Sequence, residues 1–526
     1  MSKTEKFFNS KLTHFLFLVL SVTAAILFRA SRSNWVFINT TVGIENLSVT
    51  ILSLMVIVCL TQGLLTVIKI HRTDCEEKKG KLCYIIPVLT AIISVIFFIF
   101  AIAYSAGLLL SESSQAFLLY LRKTLTEGAL LIIVPFFVLF YPSLGRKAKK
   151  YIGKAFLIAV FLFGINSFSP FSSYKITSTP MVIDNGNEYS VVFSTSSEGT
   201  AYVEYTFNGE NYKLFDNEDG RLNSNTKIHS VAVPYEHLRN NTYKVGSTKV
   251  MEEFSYGSRT GKTVTSEEYS FKYNDSKNQT WLVISDWHTM LDAAYTAIDN
   301  LKSSYDAIIL LGDATPGVDF EEQVITNIIK FGGKVSSGTM PVLYVRGNHE
   351  TRGAYAKDLP SALGIEQFYY TTDIGPYSFV VLDSGEDKDD SHVEYGGMND
   401  YNTYRADMVK WLKSVDVKSK RVIALSHAWQ VSTVEPELSS EAWSELDRIG
   451  TRLVLSGHEH KCRLIGENNE NEKAYKNKHP NIIGYIDGGK KEDDYIASLL
   501  TLSDKGFELK AIDNNNTEIF NEAFSW

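Results

Sequence analysis

Five short segments of the sequence place side chains that can bind metal directly after apolar runs. These side chains are two carboxylates, four imidazoles and one amide: Asp286, His288, Asp313, Asn348, His427, His458 and His460. Mixed carboxylate and imidazole ligands suit Zn, Mn or Fe better than Ca or Mg. One metal ion uses about four to six ligands, so this set is large enough for two ions if one carboxylate bridges them.

The elements that must position these residues form an alternation of strands and helices after residue 280. Apolar runs such as "WLVI", "AIILL" and "VLYV" have the length of buried strands, and the segments between them have the apolar spacing of amphipathic helices. Such runs predict an α/β sheet, in which polar groups collect in the loops at the carboxyl ends of the strands. We therefore expect the seven residues to meet at one end of the sheet.

The spacing within two segments adds a local argument. Asp286 and His288 are two positions apart, as are His458 and His460. In an extended chain, residues two apart point to the same side. The spacing therefore predicts that the two members of each pair lie on the same side of the chain and that Trp287 faces the opposite way, into packing.

As a set, the five segments resemble the motifs of the calcineurin-like metallophosphoesterase superfamily, D-x-H, G-D-x-x-D, G-N-H-[ED], a separate H, and G-H-x-H. The matching residues are Asp286–His288, Gly312–Asp313, Gly347–Glu350, His427 and Gly457–His460. The resemblance covers about residues 281–510. It implies a four-layer α/β/β/α sandwich and a metal-dependent phosphoric ester hydrolase, either a phosphatase or a phosphodiesterase.

The resemblance also implies a role for each residue. One metal ion would be held by Asp286, His288, Asp313 and His460. The other would be held by Asp313, Asn348, His427 and His458, with Asp313 bridging the two ions, which would be Mn, Zn or Fe. A metal-bound hydroxide would attack the phosphorus, and His349 would help to protonate the leaving oxygen.

The sequence departs from the family pattern at one position. Pro316 stands where the second Asp of G-D-x-x-D is usual, which puts a supporting contact in doubt but leaves the ligand set complete. Purple acid phosphatases have an iron-binding Tyr there and lack the His of the first motif. Because His288 is present and the Tyr is absent, the resemblance is to the wider superfamily rather than to the purple enzymes.

Four further residues are weaker candidates for the site. Arg346 and Arg352 flank the G-N-H-E segment and are candidates for binding the substrate phosphate, although a solvated loop position is the simpler interpretation of at least one of them. His392, in an acidic loop, is a third candidate for lining the substrate pocket. Asp383 is expected to orient one of the histidine ligands.

The first 168 residues predict a five-span membrane region. The apolar stretches are Leu12–Phe28, Leu47–Ile68, Cys83–Leu110, Leu125–Leu144 and Tyr151–Phe168, and about 17–25 residues are needed to span a bilayer as helix. The loops after the second and fourth stretches are rich in Lys and Arg, which predicts that these loops and the N-terminus are cytoplasmic. The catalytic domain is then extracytoplasmic. The centres of the stretches carry almost no charge, which favours an anchor over a transporter.

Residues 172–275 predict an all-β sandwich, because short alternating segments are separated by Gly, Asn and Asp turns. In its place before the catalytic segment it resembles a fibronectin type III-like module, although a generic β spacer explains the pattern equally well. The predicted domains are therefore a membrane region at 1–168, a β-sandwich at 172–275 and a metallophosphoesterase domain at 280–526.

Charge divides the chain in the same way. Residues 1–168 contain 17 basic and 7 acidic residues, and residues 169–526 contain 35 and 53. An acidic catalytic part argues against a nucleic-acid partner, which favours a basic surface. The sequence thus predicts a multi-pass, membrane-anchored phosphoesterase whose partners are a phosphoester and the lipid bilayer. The alternative is a catalytically inactive, metal-binding receptor or adhesion ectodomain.

Overall fold

The computed structural model describes residues 174–254, 257–417, 419, 421–466, 468–491 and 494–526. The five predicted membrane spans lie outside these residues. Within the described ranges, every helix is too short or too polar to cross a bilayer. The chain divides into two compact units, 1–170 with 252–259, and 171–251 with 260–526. The second unit contains all the candidate site residues and is described below.

The strands of the first half of this unit are β1 Met181–Asp184, β2 Tyr189–Phe207, β3 Glu210–Phe215, β4 Asn217–Glu218, β5 Arg221–Leu222, β6 Thr226–Val233, β7 Thr242–Phe254, β8 Gly257–Thr265, β9 Tyr269–Ser270, β10 Gln279–Ile284, β11 Ala307–Leu310 and β12 Pro341–Tyr344. The later strands are β13 Tyr370–Ile374, β14 Tyr377–Val381, β15 Val422–Leu425, β16 Thr451–Ser456, β17 Arg463–Leu464, β18 Ile483–Ile486, β19 Lys490–Lys491, β20 Asp494–Leu502, β21 Gly506–Asp513 and β22 Glu518–Ser525.

The helices are α1 Tyr235–Leu238, α2 Leu291–Leu301, α3 Glu321–Val324, α4 Lys330–Ser336, α5 Leu359–Leu363, α6 Tyr401–Ser414, α7 Pro436–Arg448 and α8 Glu470–Lys478, with a π-helical segment at Ile325–Ile329 joining α3 to α4. Short 3-10 turns occur at His349–Thr351, Ala356–Asp358 and Val393–Tyr395.

Two sheets contain the strands that lead to the site. The first has the order β22-β21-β20-β10-β11-β12-β1-β2-β7-β8, and the second has the order β13-β14-β15-β16-β18-β17. Strands β10, β11 and β12 are parallel neighbours, as are β14, β15, β16 and β18. Parallel strands bring their carboxyl ends to the same edge, which gathers the following loops.

The two sheets pack face to face, and helices cover their outer faces. Strand β10 shows why its run Trp281–Ile284 is apolar throughout: Trp281 and Val283 face the core between the sheets, whereas Leu282 and Ile284 face helices α2 and α4. On the outer face of the second sheet, residues such as Val454 pack against α6 and α7. When both faces of a strand are buried, apolar residues occupy consecutive positions instead of alternating with polar ones. The prediction of a mixed α/β fold is confirmed.

The β-rich segment is built directly onto the α/β sheet. Strand β1 pairs with β12 in parallel, with Val182 opposite Pro341, and β2 continues the sheet on the other side of β1. This segment also has an apolar core of its own. Polar contacts join it to α3, where Glu321 accepts hydrogen bonds from the Thr226 hydroxyl and the Lys227 and Ile228 amides. The fibronectin type III-like resemblance and the proposed domain boundaries stay predictions.

The Glu321 contacts predict that the β-rich segment stabilises the catalytic one. Glu321→Ala removes the acceptor of two backbone amides and one hydroxyl, and we expect it to lower the free energy of unfolding by about 1–3 kcal/mol. The neighbouring Glu322 has an exposed side chain that pairs only with Lys227 among the described contacts, so Glu322→Ala should cost about 0–1 kcal/mol. Thermal unfolding of both variants tests this, and equal losses would contradict it.

A candidate dinuclear metal centre

The seven predicted ligands follow the carboxyl ends of five strands from both sheets. Each is within a few residues of a strand end: Asp286 and His288 after β10, Asp313 after β11, Asn348 after β12, His427 after β15, and His458 and His460 after β16. Short loops after rigid, buried strands fix these side chains more tightly than surface loops would. The structure brings all seven to one place.

Left-handed backbone, rather than extended chain, aims most of these side chains. Five of the seven have positive φ: Asp286 (48°), His288 (35°), Asp313 (56°), His458 (69°) and His460 (53°). The prediction that these residues are aimed by extended chain was therefore wrong; Asp286 and His288 do share one group of candidate ligand atoms, whereas His458 and His460 belong to different groups. Positive φ is uncommon for residues other than glycine. It persists where surrounding contacts hold the backbone in place, and such residues are concentrated at functional sites.

Trp287 lies between two of these left-handed residues and anchors the loop. Its indole is fully buried, stacks on Phe331 at a ring distance of 4.9 Å and donates Nε1–H to the carbonyl oxygen of Asn327 at 2.8 Å. The side chain thus packs into the helix-side core, as the sequence predicts. Its packing fixes the direction of the chain on which Asp286 and His288 depend.

Two glycines allow the second and third loops to approach closely. A Cβ on Gly312, where φ is +85°, would lie 2.4 Å from the Gly347 nitrogen. A Cβ on Gly347 would lie 2.2 Å from Asp313 Oδ1. Both distances are too short for any side chain, so only glycine lets these backbones touch. This contact sets the distance between Asp313 and Asn348.

Glu350 fastens the same two loops to each other. Its buried carboxylate accepts the amides of Asp313 and Gly347 on Oε2, both at 2.8 Å, and the amide of Ala314 on Oε1 at 2.7 Å. The sequence contains Glu350 in the G-N-H-E segment but gave no indication of this role. Burial raises the pKa of Glu350 to about 7, and the nearby Asp313 carboxylate adds to the effect.

Asp313 lies at the centre of the cluster. Its Oδ2 is 3.2 Å from His427 Nε2, 3.7 Å from His288 Nε2 and 3.8 Å from His349 Nε2. Its Oδ1 accepts the amide of His349 at 3.0 Å. One carboxylate oxygen therefore faces three imidazoles, which is the position required of a bridging ligand.

The remaining ligands complete two groups around this carboxylate. Asp286 Oδ1 lies 3.3 Å from His460 Nε2 and 4.0 Å from His288 Nε2, and Asn348 Oδ1 lies 3.1 Å from His458 Nδ1. Candidate ligand atoms of Asp286, His288 and His460 form one group, those of Asp313, His427 and His458 form a second, and those of His288, Asp313 and His349 form a third. The third group includes His349, which was not predicted to bind metal, and the division of the residues between two ions stays a prediction.

Unpaired buried atoms indicate that these residues fit metal. Asp286 Oδ1 and His427 Nε2 are fully buried and make no hydrogen bond in the described part of the chain, which is costly unless a ligand satisfies them. His427 Nδ1 donates to the Leu311 carbonyl oxygen at 2.5 Å, which directs the Nε2 lone pair at Asp313. A ring held in this way by its other nitrogen is typical of metal-binding histidines.

The buried carboxylates of the cluster favour positive charge on the groups beside them. Burial lowers the pKa of His427, but the Asp313 and Asp286 carboxylates outweigh burial and raise it to about 10. Burial opposes ionisation of Asp313, yet His427 holds its pKa below the usual range. His288 differs, because burial lowers its pKa to about 4 and so favours the neutral, ligating form.

His349 lies beside the cluster with its ring half-open to solvent. Its Nδ1 donates to the carbonyl oxygen of Pro316 at 2.9 Å, so Nε2 is the nitrogen that faces Asp313. Its ring also makes an edge contact with His288 at 4.9 Å. Pro316, the departure from the family pattern, thus supplies a backbone acceptor where the family has a carboxylate.

Asp487 is a further buried residue at the site that the sequence analysis missed. It follows β18, accepts hydrogen bonds from the hydroxyls of Ser285 and Ser498, and has its pKa raised to about 7 by burial. Tyr495 donates to the Ser285 carbonyl oxygen at 2.6 Å. These contacts support the loop that carries Asp286. An acid directly after the apolar run "IIGYI" was the available signal.

The structure changes the expectation for Asp383. Its carboxylate accepts Arg346 Nε at 2.9 Å and the Tyr404 hydroxyl at 2.9 Å rather than orienting a histidine ligand, so that prediction was wrong. The Arg346 guanidinium is buried and lies over the Phe368 ring at 4.6 Å. Arg346, a candidate for binding phosphate, is therefore already paired and enclosed.

Arg352 and His392 occupy more open positions. Arg352 Nη1 lies 3.5 Å from each ring nitrogen of His349, and its guanidinium pairs with Glu386 and Asp387. His392 lies in the loop that follows Asp387, where its Nδ1 accepts the Glu394 amide at 3.4 Å. Of these two candidates for substrate binding, Arg352 is the one placed next to the cluster.

The role of Glu350 predicts a specific defect in metal binding. Glu350→Ala leaves three buried amides without their acceptor and separates the Asp313 and Asn348 loops, so we expect metal affinity to fall about 10–100-fold. Calorimetric titration of the metal-free chain with Mn²⁺ or Zn²⁺ measures this. Glu437→Ala, on the first turn of α7, is the control. If Glu350→Ala bound metal with the affinity of the wild type, the proposed role of Glu350 in holding the Asp313 and Asn348 loops together would be contradicted.

Comparisons with solved structures give distant likenesses. A structure of PhoD is 10% identical, with a TM-score of 0.42, and the match covers 68% of this chain and 90% of that one. A predicted phosphoesterase from Streptococcus pneumoniae TIGR4 is 12% identical, with a TM-score of 0.24, and the match covers 48% and 99%. A cold-active protein-tyrosine phosphatase of a psychrophilic Shewanella species is 12% identical, with a TM-score of 0.24, and the match covers 67% and 99%. TM-scores this low carry no argument about fold or function.

The family comparison is more specific. No curated protein matches the sequence. Residues 280–462 match the family model described as calcineurin-like phosphoesterase, a segment that covers under half of the chain and contains all seven predicted ligands and His349. This segment is similar to calcineurin-like phosphoesterases.

Proposed function

We propose that the chain is a metal-dependent phosphoric ester hydrolase with a dinuclear centre formed by the seven clustered residues. The observation that carries the proposal is the position of Asp313. Its Oδ2 faces His427, His288 and His349 within 3.8 Å, with the unpaired, buried atoms of Asp286 and His427 beside it. Without a metal ion, these two atoms have charged neighbours but no hydrogen bond: Asp286 Oδ1 lies 3.3 Å from His460 Nε2, and His427 Nε2 lies 3.2 Å from Asp313 Oδ2.

The residues divide into two metal-binding sets that share Asp313. Asp286, His288 and His460 would complete one set, and Asn348, His427 and His458 the other. When bound, two ions would supply the Lewis acidity that activates water and compensates charge on the phosphoryl oxygens. Mn, Zn and Fe suit these ligands.

The residues around the cluster supply orientation and a proton. His349 Nδ1 donates to the Pro316 carbonyl oxygen, so in the imidazolium form the second proton, on Nε2, would be the one given to a leaving oxygen on the open side of the site. Positioned imidazoles contribute about 10²–10⁴-fold to such transfers. Leu311 and Glu350 hold the ligand loops before substrate arrives, so binding does not have to arrange them.

The proposal extends to location. Residues 1–168 would anchor the chain in the bilayer through five spans, with the N-terminus in the cytoplasm and the catalytic domain outside it. The support is the distribution of apolar stretches and basic loops in the sequence. A phosphoester and the membrane lipid are then the partners of the protein.

The catalytic part of the proposal predicts metal-dependent hydrolysis. The purified chain with Mn²⁺ or Zn²⁺ should hydrolyse an aryl phosphate ester, and a chelator should abolish this activity. Asp313→Ala removes the shared ligand, so we expect loss of bound metal and at least about a 10³-fold fall in kcat/KM. Metal analysis and the hydrolysis assay are made on the same sample.

His349→Asn separates proton transfer from metal binding. This variant should keep its metal content while kcat falls about 10²–10⁴-fold. Full activity in Asp313→Ala or in chelated protein would contradict the proposed mechanism. Metal bound at full stoichiometry without hydrolysis of any phosphoester would favour the alternative of a metal-binding ectodomain.

The location is tested by surface labelling. In intact cells, a membrane-impermeant amine reagent should label lysines in residues 169–526, because the odd number of spans places this part outside the cytoplasm. Labelling of the same peptides only after lysis would contradict the proposed topology. A cytoplasmic protein analysed in parallel controls for leakage.

A further inference from the structure

The arginine nearest the cluster is held by two carboxylates. Arg352 donates Nε–H and Nη2–H to the two oxygens of Glu386, both at 2.7 Å, and Nη2 also lies 3.0 Å from Asp387 Oδ1. Its Nη1 lies 3.5 Å from each ring nitrogen of His349. A bidentate pair of this kind is the strongest geometry for an arginine and a carboxylate.

The charge at this position is therefore negative rather than positive. Arg352 with Glu386 and Asp387 has a formal net charge of −1. The other arginine of the G-N-H-E region, Arg346, is matched by Asp383 at 2.6 Å and is buried. Neither arginine therefore adds uncompensated positive charge to that of the proposed metal ions.

The same two carboxylates line a recess beside the metal ligands. The recess adjoins Asn348 and His458, and its other polar lining residues include Ser384, Glu386, Asp387 and Thr433. Glu386 and Asp387 are the two acidic residues of the described lining, and His458 is itself a candidate ligand. The recess has a volume of about 10 Å³, which is room for about one water molecule, so a substrate can lie beside the two carboxylates but not inside the recess.

Glu386 is held independently of Arg352. Arg405, which is fully buried, donates Nη1–H to the Glu386 carbonyl oxygen at 3.0 Å and pairs with Glu435 at 3.2 Å. The Glu386 side chain is fully buried. If Arg352 left it to bind a phosphate, a buried carboxylate would lose its partner, which is strongly unfavourable. The pairing is thus a fixed property of the site.

Phosphate monoesters and diesters carry different negative charges, so the two carboxylates repel them to different degrees. A monoester carries about −1.5 to −2 at neutral pH, whereas a diester carries a single negative charge. Each additional negative charge near Glu386 and Asp387 is repelled, and like charges brought together in an interface are a common source of specificity.

We propose that the site selects phosphodiesters over phosphomonoesters and that Glu386 and Asp387 are the residues that set this preference. The inference rests on the proposed hydrolase function and names its substrate class. The two acids act by occupying Arg352 and by repelling a dianion bound beside them.

The test compares two substrates with the same leaving group, p-nitrophenyl phosphate and bis(p-nitrophenyl) phosphate, with the full chain and Mn²⁺ at pH 8. The wild type should have the higher kcat/KM for the diester. Glu386→Gln keeps the shape of the side chain and removes its charge, so it should shift the ratio toward the monoester by roughly tenfold, mainly through the KM of the monoester.

Asp387→Asn provides a second route to the same result. Its side chain is 30% exposed, so this variant tests the charge without disturbing a buried group, and the ratio should shift in the same direction. Glu441→Gln is the matched control, because it removes one carboxylate from an ion pair with Lys413 on the exposed surface of α7. Its ratio should equal that of the wild type.

The outcomes separate the inference from the function on which it rests. A wild-type preference for the monoester, or a ratio unchanged in both Glu386→Gln and Asp387→Asn, would overturn the inference and leave the hydrolase intact. Hydrolysis of neither substrate by the metal-loaded wild type would overturn the proposed function itself.

Discussion

The site depends on one buried carboxylate that several imidazoles share. Asp313 Oδ2 lies 3.2 Å from His427 Nε2 and 3.7 Å from His288 Nε2, in a core that excludes water. Burial of a carboxylate is tolerated only where positive charge or hydrogen bonds compensate it. The neighbouring features supply that compensation or hold its geometry: Gly312 and Gly347 permit the close approach, and Glu350 fastens both loops.

The surroundings of the cluster follow from the same constraint. Asp286 and Asp313 place two buried carboxylates at the centre, which favours cations there. The rim is also acidic, since Glu386 and Asp387 outnumber Arg352 and leave a net negative charge beside His349. If metal ions occupy the centre as proposed, this acidic rim would favour substrates that carry little negative charge. The excess of acidic over basic residues in 169–526 is thus also found at the edge of the candidate site.

The ligand set could be predicted because it depends on residue type and position. Carboxylates and imidazoles directly after apolar runs have few structural explanations, and parallel strands place such residues at one edge. Asp487 follows the same rule after β18 and was missed because a lone acid after a strand has no motif around it. The mixed α/β fold was likewise readable from the alternation of strands and helices.

The rest depends on contacts between residues far apart in the chain. The pairing of β1 with β12 joins residues near 182 and 341, and no local pattern encodes it. Left-handed backbone at Asp286 and His288 is imposed by packing around Trp287 rather than by their own preferences. Asp383 was expected to orient a histidine ligand because it follows β14, but its carboxylate pairs with Arg346 instead.

The central claim is that Asp313 lies between two metal ions. Anomalous diffraction from crystals of the metal-loaded chain, measured at the absorption edge of the bound metal, tests this claim most directly. The account predicts two peaks about 3.5–4 Å apart on either side of Asp313 Oδ2, one beside His460 and one beside His458. A single peak, or none in a folded, metal-supplemented chain, would contradict it.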